Sequence, residues 1–224
     1  MKVLRKVYHY IRCIPKTLIF NFSYFPLRTA VSFPVLVNHR TKFHSLSGKV
    51  VLPSNARTGK IKLGFGSIEP IDSSRSRLIW NLEKHGTITF GHRNKIGTAS
   101  KIHVKGHLVL GNDANFTGDA VIICNKSISF GNGVLISWQT LFMDTDFHPV
   151  IDEDGNQLNH DKSVTIGDDV WVCARTTVLK GSHISQNTIV SASANVSGTF
   201  EKDSIIGGNP AKIIGSMEGK AFKN

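Results

Sequence analysis

Between Ile166 and Val196 the chain repeats every six residues. Ile166, Val172, Val178, Ile184, Val190 and Val196 are β-branched aliphatics in unbroken phase. Four residues after each of the first five stands a small or β-branched residue: Val170, Thr176, Ser182, Thr188 and Ala194. This period is neither the 3.6 of a helix nor the 2 of a lone strand. It predicts a parallel β-helix, in which short strands meet at tight corners and successive coils stack. The aliphatic points into a narrow prism, and the small residue fits where two walls converge.

The same pattern runs upstream with slips of phase. Phe90, Ile96, Ile102 and Leu108 are spaced by six; Leu110, Phe116, Ile122 and Ile128 follow after a slip of two; Phe130, Ile136 and Phe142 follow after another. The early coils are therefore 20 residues long and the late ones 18. Each phase opens on an apolar residue followed by glycine (Gly91, Gly111, Gly131, Gly167), which is read as permitting positive φ at a corner. No strand–helix alternation suggests a doubly wound sheet. The expected fold class is all-β, a parallel β-helix over residues 51–215. A basic aromatic segment (1–50), helical or irregular, precedes it, and a tail (216–224) follows. Gly59–Gly64 reads as the first turn of the solenoid, and the polar stretch 69–77 as a loop out of the coil.

Charge separates the two parts. Residues 1–68 hold twelve Lys/Arg and no acid, while the rest is near neutral, so the net charge of +11 belongs to the N-terminal third. Residues 2–20 read as an amphipathic helix with Leu4, Val7, Tyr8, Ile11 and Ile14 on one side and Lys2, Arg5, Lys6, His9, Arg12 and Lys16 supplying charge; Pro15 is expected to bend or end it. Basic and aromatic residues together suit an anionic membrane surface, contacted through residues 1–30. A cap on the open end of the prism is the alternative. No nucleic-acid motif accompanies the charge, and no nucleic-acid partner is expected. Cys13, Cys124 and Cys173 lack metal-like spacing, which predicts reduced thiols and a cytoplasmic setting, peripheral to the inner face of the membrane. No run reaches the length of a membrane span.

The repeat is interrupted between Phe142 and Ile166. The interruption carries Asp144-Thr145-Asp146-Phe147-His148-Pro149 and a polar excursion, 149–163. A long loop leaving a rigid solenoid is a natural seat of function.

These hexads, the Asp-Thr-Asp-Phe-His-Pro run, the start Ile166-Gly167-Asp168-Asp169-Val170-Trp171 and the ending Ile206-Gly207-Gly208-Asn209-Pro210-Ala211-Lys212 resemble the hexapeptide-repeat acyltransferases. More narrowly, they are similar to sugar and polysaccharide O-acetyltransferases, the maltose, galactoside, capsule and O-antigen modifying enzymes. The resemblance covers residues 58–215 and implies a left-handed helix, an exception to the usual handedness of parallel crossovers. It further implies a homotrimer with sites between prisms, acetyl-CoA as co-substrate, no required metal, and a sugar or polysaccharide acceptor. His148 matches the family's catalytic His-Pro, a general base for the acceptor hydroxyl. A neutral imidazole, with a pKa of about 6.5, suits that task.

By the same resemblance, Asp146 and Asp144 fix the imidazole tautomer or bind acceptor hydroxyls, and Asn125 lies near the acceptor. Ala174 and Ala192 line the pantetheine track, Ser197 follows one turn later, and Lys212 stands near the adenosine phosphates. The match departs at Cys173, where the family has glycine, and at Gly198–Lys202, which lacks the usual Pro-Pro. The Asn-Phe-Asn acceptor motif of the maltose and galactoside enzymes is also missing, so a surface polysaccharide or its lipid-linked precursor is the expected acceptor. Two alternatives stand beside this: N-acetyl transfer to an amino sugar or amine, and a non-catalytic scaffold. A γ-type carbonic anhydrase would need three converging imidazoles; His85, His92, His103 and His107 show no such spacing with His148.

Overall fold

The computed structural model describes residues 2–66, 68–72 and 74–223, and the side chains of these from Leu4 onward. Ser73 of the polar loop and the charge expected from Lys2 fall outside what is described.

The hexads build a three-faced prism. Face A stacks Val35–Val37, Ile61–Leu63, Lys95–Ile96, Asn115–Phe116, Leu135–Ile136, Trp171–Val172, Ile189–Val190 and Ser204–Gly208, closed by the antiparallel strand Ala211–Ser216. Face B stacks Lys42–Leu46, Ile79–Leu82, Lys101–Val104, Val121–Cys124, Leu141–Met143, Thr177–Val178 and Asn195–Val196. Face C stacks Lys49–Val51, Thr87–Phe90, His107–Leu110, Ser127–Phe130, Val164–Ile166, His183–Ile184 and Thr199–Phe200. All other pairings are parallel. The register steps by 20 in the early coils (Asn115 beside Leu135), by 36 across the excursion (Leu141 beside Thr177) and by 18 afterwards (Trp171 beside Ile189).

The six hexad aliphatics from Ile166 to Val196 are all buried, as are the small residues from Val170 to Ala194. Phe116, Phe130 and Phe142 stack edge to face along the axis at 5.1 and 4.9 Å. The small polar residues have a second task. The Thr176 hydroxyl donates to the Cys173 carbonyl at 2.9 Å, and that of Ser182 donates to the Leu179 carbonyl at 2.7 Å. Corner carbonyls thus find partners inside an apolar prism, where an unpaired one would be costly.

The corner glycines differ from expectation. None of Gly91, Gly111, Gly131 and Gly167 has positive φ; the left-handed residue lies two positions on, at Arg93, Asp113, Gly133 and Asp169. The glycines are there because the corners stack on one another. A Cβ on Gly91 would lie 2.5 Å from the Gly111 backbone, and one on Gly131 would lie 2.6 Å from that of Gly167. Close backbone approach, not turn geometry, selects glycine.

The prism also begins earlier than the expected boundary at residue 51. Its first coil runs from Val35 to Val51, and Gly59–Gly64 contributes to the second. The segment before it is helical, with α1 spanning Lys2–Tyr24 and α2 spanning Leu27–Ala30. Pro15 does not end α1. It sits on the solvent face, so the hydrogen bond it removes is one that water can replace. The face that packs is Cys13, Thr17, Phe20 and Asn21, at helical spacing, not the Leu4–Ile14 side, whose large residues stay exposed.

Phe20 meets Trp80 edge-on at 5.1 Å, and the Trp80 indole N–H donates to the Tyr24 hydroxyl at 3.0 Å. Burial pushes the Tyr24 phenol up to about 12. The Asn21 amide donates to the Thr17 and Val35 carbonyls at 2.7 Å each and accepts from the Val35 N–H at 3.3 Å. Asn21→Ala is expected to cost about 1–3 kcal/mol, because it strands buried backbone groups; chemical denaturation of the purified protein measures it. α1 therefore caps the first coil. Among the described residues no helix is long and apolar enough to cross a membrane.

Candidate functional site

The excursion leaves the edge between faces B and C after Met143 and rejoins at Val164. Its first residue, Asp144, is fully buried. One carboxylate oxygen accepts the Asn125 N–H at 2.7 Å; the other accepts those of Lys126 and Ser127 at 2.8 and 2.7 Å. Three orphan donors of the corner one coil below are satisfied at once. Asp144 is therefore turned away from an acceptor and from His148. The reading of it as a substrate or tautomer contact is corrected: its oxygens are spent on backbone.

Thr145 is also buried. Its hydroxyl accepts from the Asn125 amide at 3.2 Å and from the Phe147 N–H at 3.0 Å. Phe147 has φ +63°, an uncommon conformation for a large side chain. It folds the chain so tightly that the His148 N–H reaches the Asp146 carbonyl at 2.7 Å. The result is an exposed His148 on a short, hydrogen-bonded spur. Held strain of this sort collects at functional sites.

Asp146 stands beside it, but its carboxylate is engaged by the Lys180 ammonium in a short ion pair and by the Asn159 amide at 2.9 Å. The Lys180 hydrogen bond, then that of Asn159, holds this carboxyl below its ordinary 3.8. The pair's contribution is thus fully present above that value and lost only as pH falls through the lower folded pKa. Asn159 also donates to the His148 carbonyl at 2.8 Å and accepts from the Val150 N–H at 2.6 Å; Lys180 donates to the Asn159 carbonyl at 2.8 Å. Together they clamp both ends of the excursion. Among the described residues no side chain hydrogen-bonds the His148 imidazole, so neither aspartate fixes its tautomer.

Around this spur lies a polar cleft of about 530 Å3, bordered by Asn125, Lys126, Thr145, Asp146, His148, Gln157, Asn159, His160 and Asp161. Asn125 lies on its wall, with Oδ1 buried and without a hydrogen-bond partner.

The other expected residues fall elsewhere. Ala174 and Ala192 lie on the edge between faces A and B, one 18-residue coil apart, with the Ala174 carbonyl accepting the Ser193 N–H at 2.9 Å. Ser197 is exposed on the B–C edge. Lys212 is exposed on the closing strand, paired with Gly207. Within one chain, then, the alanine track and His148 occupy different edges.

Lys180 and Asn159 were missed as parts of the site. Lys180 was accessible by arithmetic: Phe142 pairs with Val178, so two residues on Lys180 comes level with Asp144 at the root of the loop. Asn159 carries no such signal, since only the folded excursion brings it back. Lys180→Met should release the excursion from its root. We expect kcat/KM to fall by about tenfold, as for loss of an outer positioning contact, with a smaller effect on Tm because Asp146 is 44% exposed and water replaces part of the pair. Steady-state kinetics and a thermal melt on one preparation check both.

No protein-family model matches the chain. A protein of Escherichia coli named as a lipopolysaccharide biosynthesis O-acetyl transferase is 28% identical over 145 residues, which are 59% of this chain and 74% of that one. A polysialic acid O-acetyltransferase of Neisseria meningitidis is 35% identical over 65 residues, 29% of this chain and 30% of that one. Among solved structures, the polySia-specific acetyltransferase NeuO superposes with a TM-score of 0.55 at 16% identity, over 85% of this chain and 79% of that one. That likeness shows the fold, a left-handed parallel β-helix. With its hexads from Ile166 to Val196 and a His-Pro spur on the prism edge, the chain is thus similar, in fold and over part of its sequence, to proteins named as O-acetyltransferases.

Proposed function

We propose that the protein moves an acetyl group from acetyl-CoA to a sugar hydroxyl of a surface polysaccharide or its lipid-linked precursor, with His148 as general base. The observation that carries this is the spur itself: a His-Pro held out by a hydrogen-bonded, positive-φ turn into a polar cleft. The neutral imidazole takes the proton of the acceptor hydroxyl as the oxygen attacks the thioester carbonyl. The tetrahedral intermediate then expels the coenzyme thiolate, which recovers a proton from the imidazolium. Asn125, at the cleft wall, is the acceptor contact. Acetyl-CoA turnover against a panel of glycans and lipid-linked oligosaccharides tests the reading. Turnover with amino sugars alone would favour N-transfer, and no turnover with any acceptor would favour a scaffold.

Ala174 and Ala192 of the donor track meet His148 only if the B–C edge of one copy lies against the A–B edge of another; with Ser197 and Lys212 completing the track, the active form is a homotrimer with shared sites. Placing a bulky residue on the track (Ala192→Trp) and removing the base (His148→Ala) disable different halves. Co-expressed, these two inactive variants are expected to regain acetyl transfer in mixed trimers; failure to regain any would mean that each chain carries its own site.

The exposed apolar side of α1, with Leu4, Val7, Ile11 and Ile14 among basic residues in an acid-free segment, supports peripheral contact with an anionic membrane at its cytoplasmic face. Co-sedimentation with phosphatidylglycerol vesicles, but not with neutral ones, is the expected result.

A further inference from the structure

Away from the cleft, three metal-ligating side chains converge where α1 crosses the first corner of the prism. His9 and Cys13 are one helical turn apart and so share a face. His39 comes from the corner between Val37 and Lys42. One ligand atom from each of the three lies within 4.8 Å of the others, the single such group of three among the described residues. Cys13 Sγ is 3.8 Å from His9 Nε2 and 4.0 Å from His39 Nδ1. Cys13 is 2% exposed, and the two imidazoles meet edge to face with centroids 5.3 Å apart.

We propose that His9, Cys13 and His39 form a zinc-binding site that ties α1 to the first coil. It is independent of the acetyl-transfer reading.

Hydrogen bonding explains the cluster poorly. A thiol has one proton, so it can donate to only one of the two imidazoles. Both sulfur contacts are long, and His39 Nε2 is buried with no partner. A tetrahedral ion with metal–sulfur and metal–nitrogen bonds of about 2.3 and 2.0 Å sets its ligands roughly 3.5 Å apart. The two observed sulfur–nitrogen separations are a few tenths of an ångström from that. A thiolate with two imidazoles is the borderline-soft donor set that zinc favours. Arg12 and Arg40 lie close to His39. The Asn38 side chain, 3.4 Å from His9 Nε2, stands beside the remaining position. The arginines oppose a cation, but the thiolate offsets one of its charges.

The test uses the full-length chain, reduced, stripped with chelator and titrated with Co2+. A thiolate-to-cobalt charge-transfer band with intense tetrahedral ligand-field bands should saturate at one equivalent, and Zn2+ should abolish them. Cys13→Ser should lose the charge-transfer band while keeping the β-helix circular dichroism, which separates this thiol from Cys124 and Cys173. Should Cys13→Ser fail to fold, His9→Gln and His39→Ala serve instead. Each is expected to weaken binding by more than roughly a hundredfold, beyond what loss of an outer contact does. Absence of a thiolate band, or binding unchanged in these variants, overturns the proposal.

Discussion

Replacing His148 by alanine is expected to lower kcat/KM for acetyl transfer by about 10²–10⁴-fold, the usual worth of a positioned general base. The melting temperature should not move. The imidazole is exposed and holds no side-chain partner among the described residues, while the spur that carries it is built from Thr145, Phe147 and backbone. This separation makes the measurement decisive: a folded His148→Ala protein with wild-type turnover would remove the base assignment, whatever the fold. Binding of coenzyme A, measured by calorimetry, should survive, because the alanines assigned to it lie on another edge.

Asp144→Ala is expected to act in the opposite way, through stability first. Three N–H groups of a partly buried corner lose their acceptor together. If each costs about 1–3 kcal/mol and water relieves part of it, the loss is about 4 kcal/mol. That is a large share of the 5–15 kcal/mol typical of a domain. Denaturant unfolding of Asp144→Ala and Asp144→Asn gives the size. The asparagine retains one acceptor oxygen and should lose less. Activity should fall with either, since the carboxylate anchors the root of the His148 spur. A stability change under 1 kcal/mol for the alanine variant would show that this corner does not depend on Asp144.

These two variants mark how far the chain can be read unaided. The hexads are a purely local pattern, so the prism, the 20- and 18-residue coils and the buried small residues from Val170 to Ala194 were all legible. The place of His148 was legible too: it sits in the long break between Phe142 and Ile166, beside a proline. Asp144 was misassigned because an acid next to a histidine reads as its partner. Only the stacking of coils shows that it faces three backbone donors 17 to 19 residues back. The glycines were misassigned for a related reason. Their spacing is local, but the contact that forbids a Cβ comes from the next coil. In α1 the apolar count pointed to the Leu4–Ile14 side, whereas Cys13, Thr17, Phe20 and Asn21 are the residues that find a complementary surface.

By itself, then, the order of residues determined the repeating element, its three short strands per coil, and which side chains point inward. Period and burial are set by neighbours a few positions away. Tertiary structure decided which edge each functional group occupies, that Lys180 and Asn159 clamp the excursion, and that His9, Cys13 and His39 meet. Those relations join residues tens of positions apart, and their distances depend on how coils stack and where a cap docks.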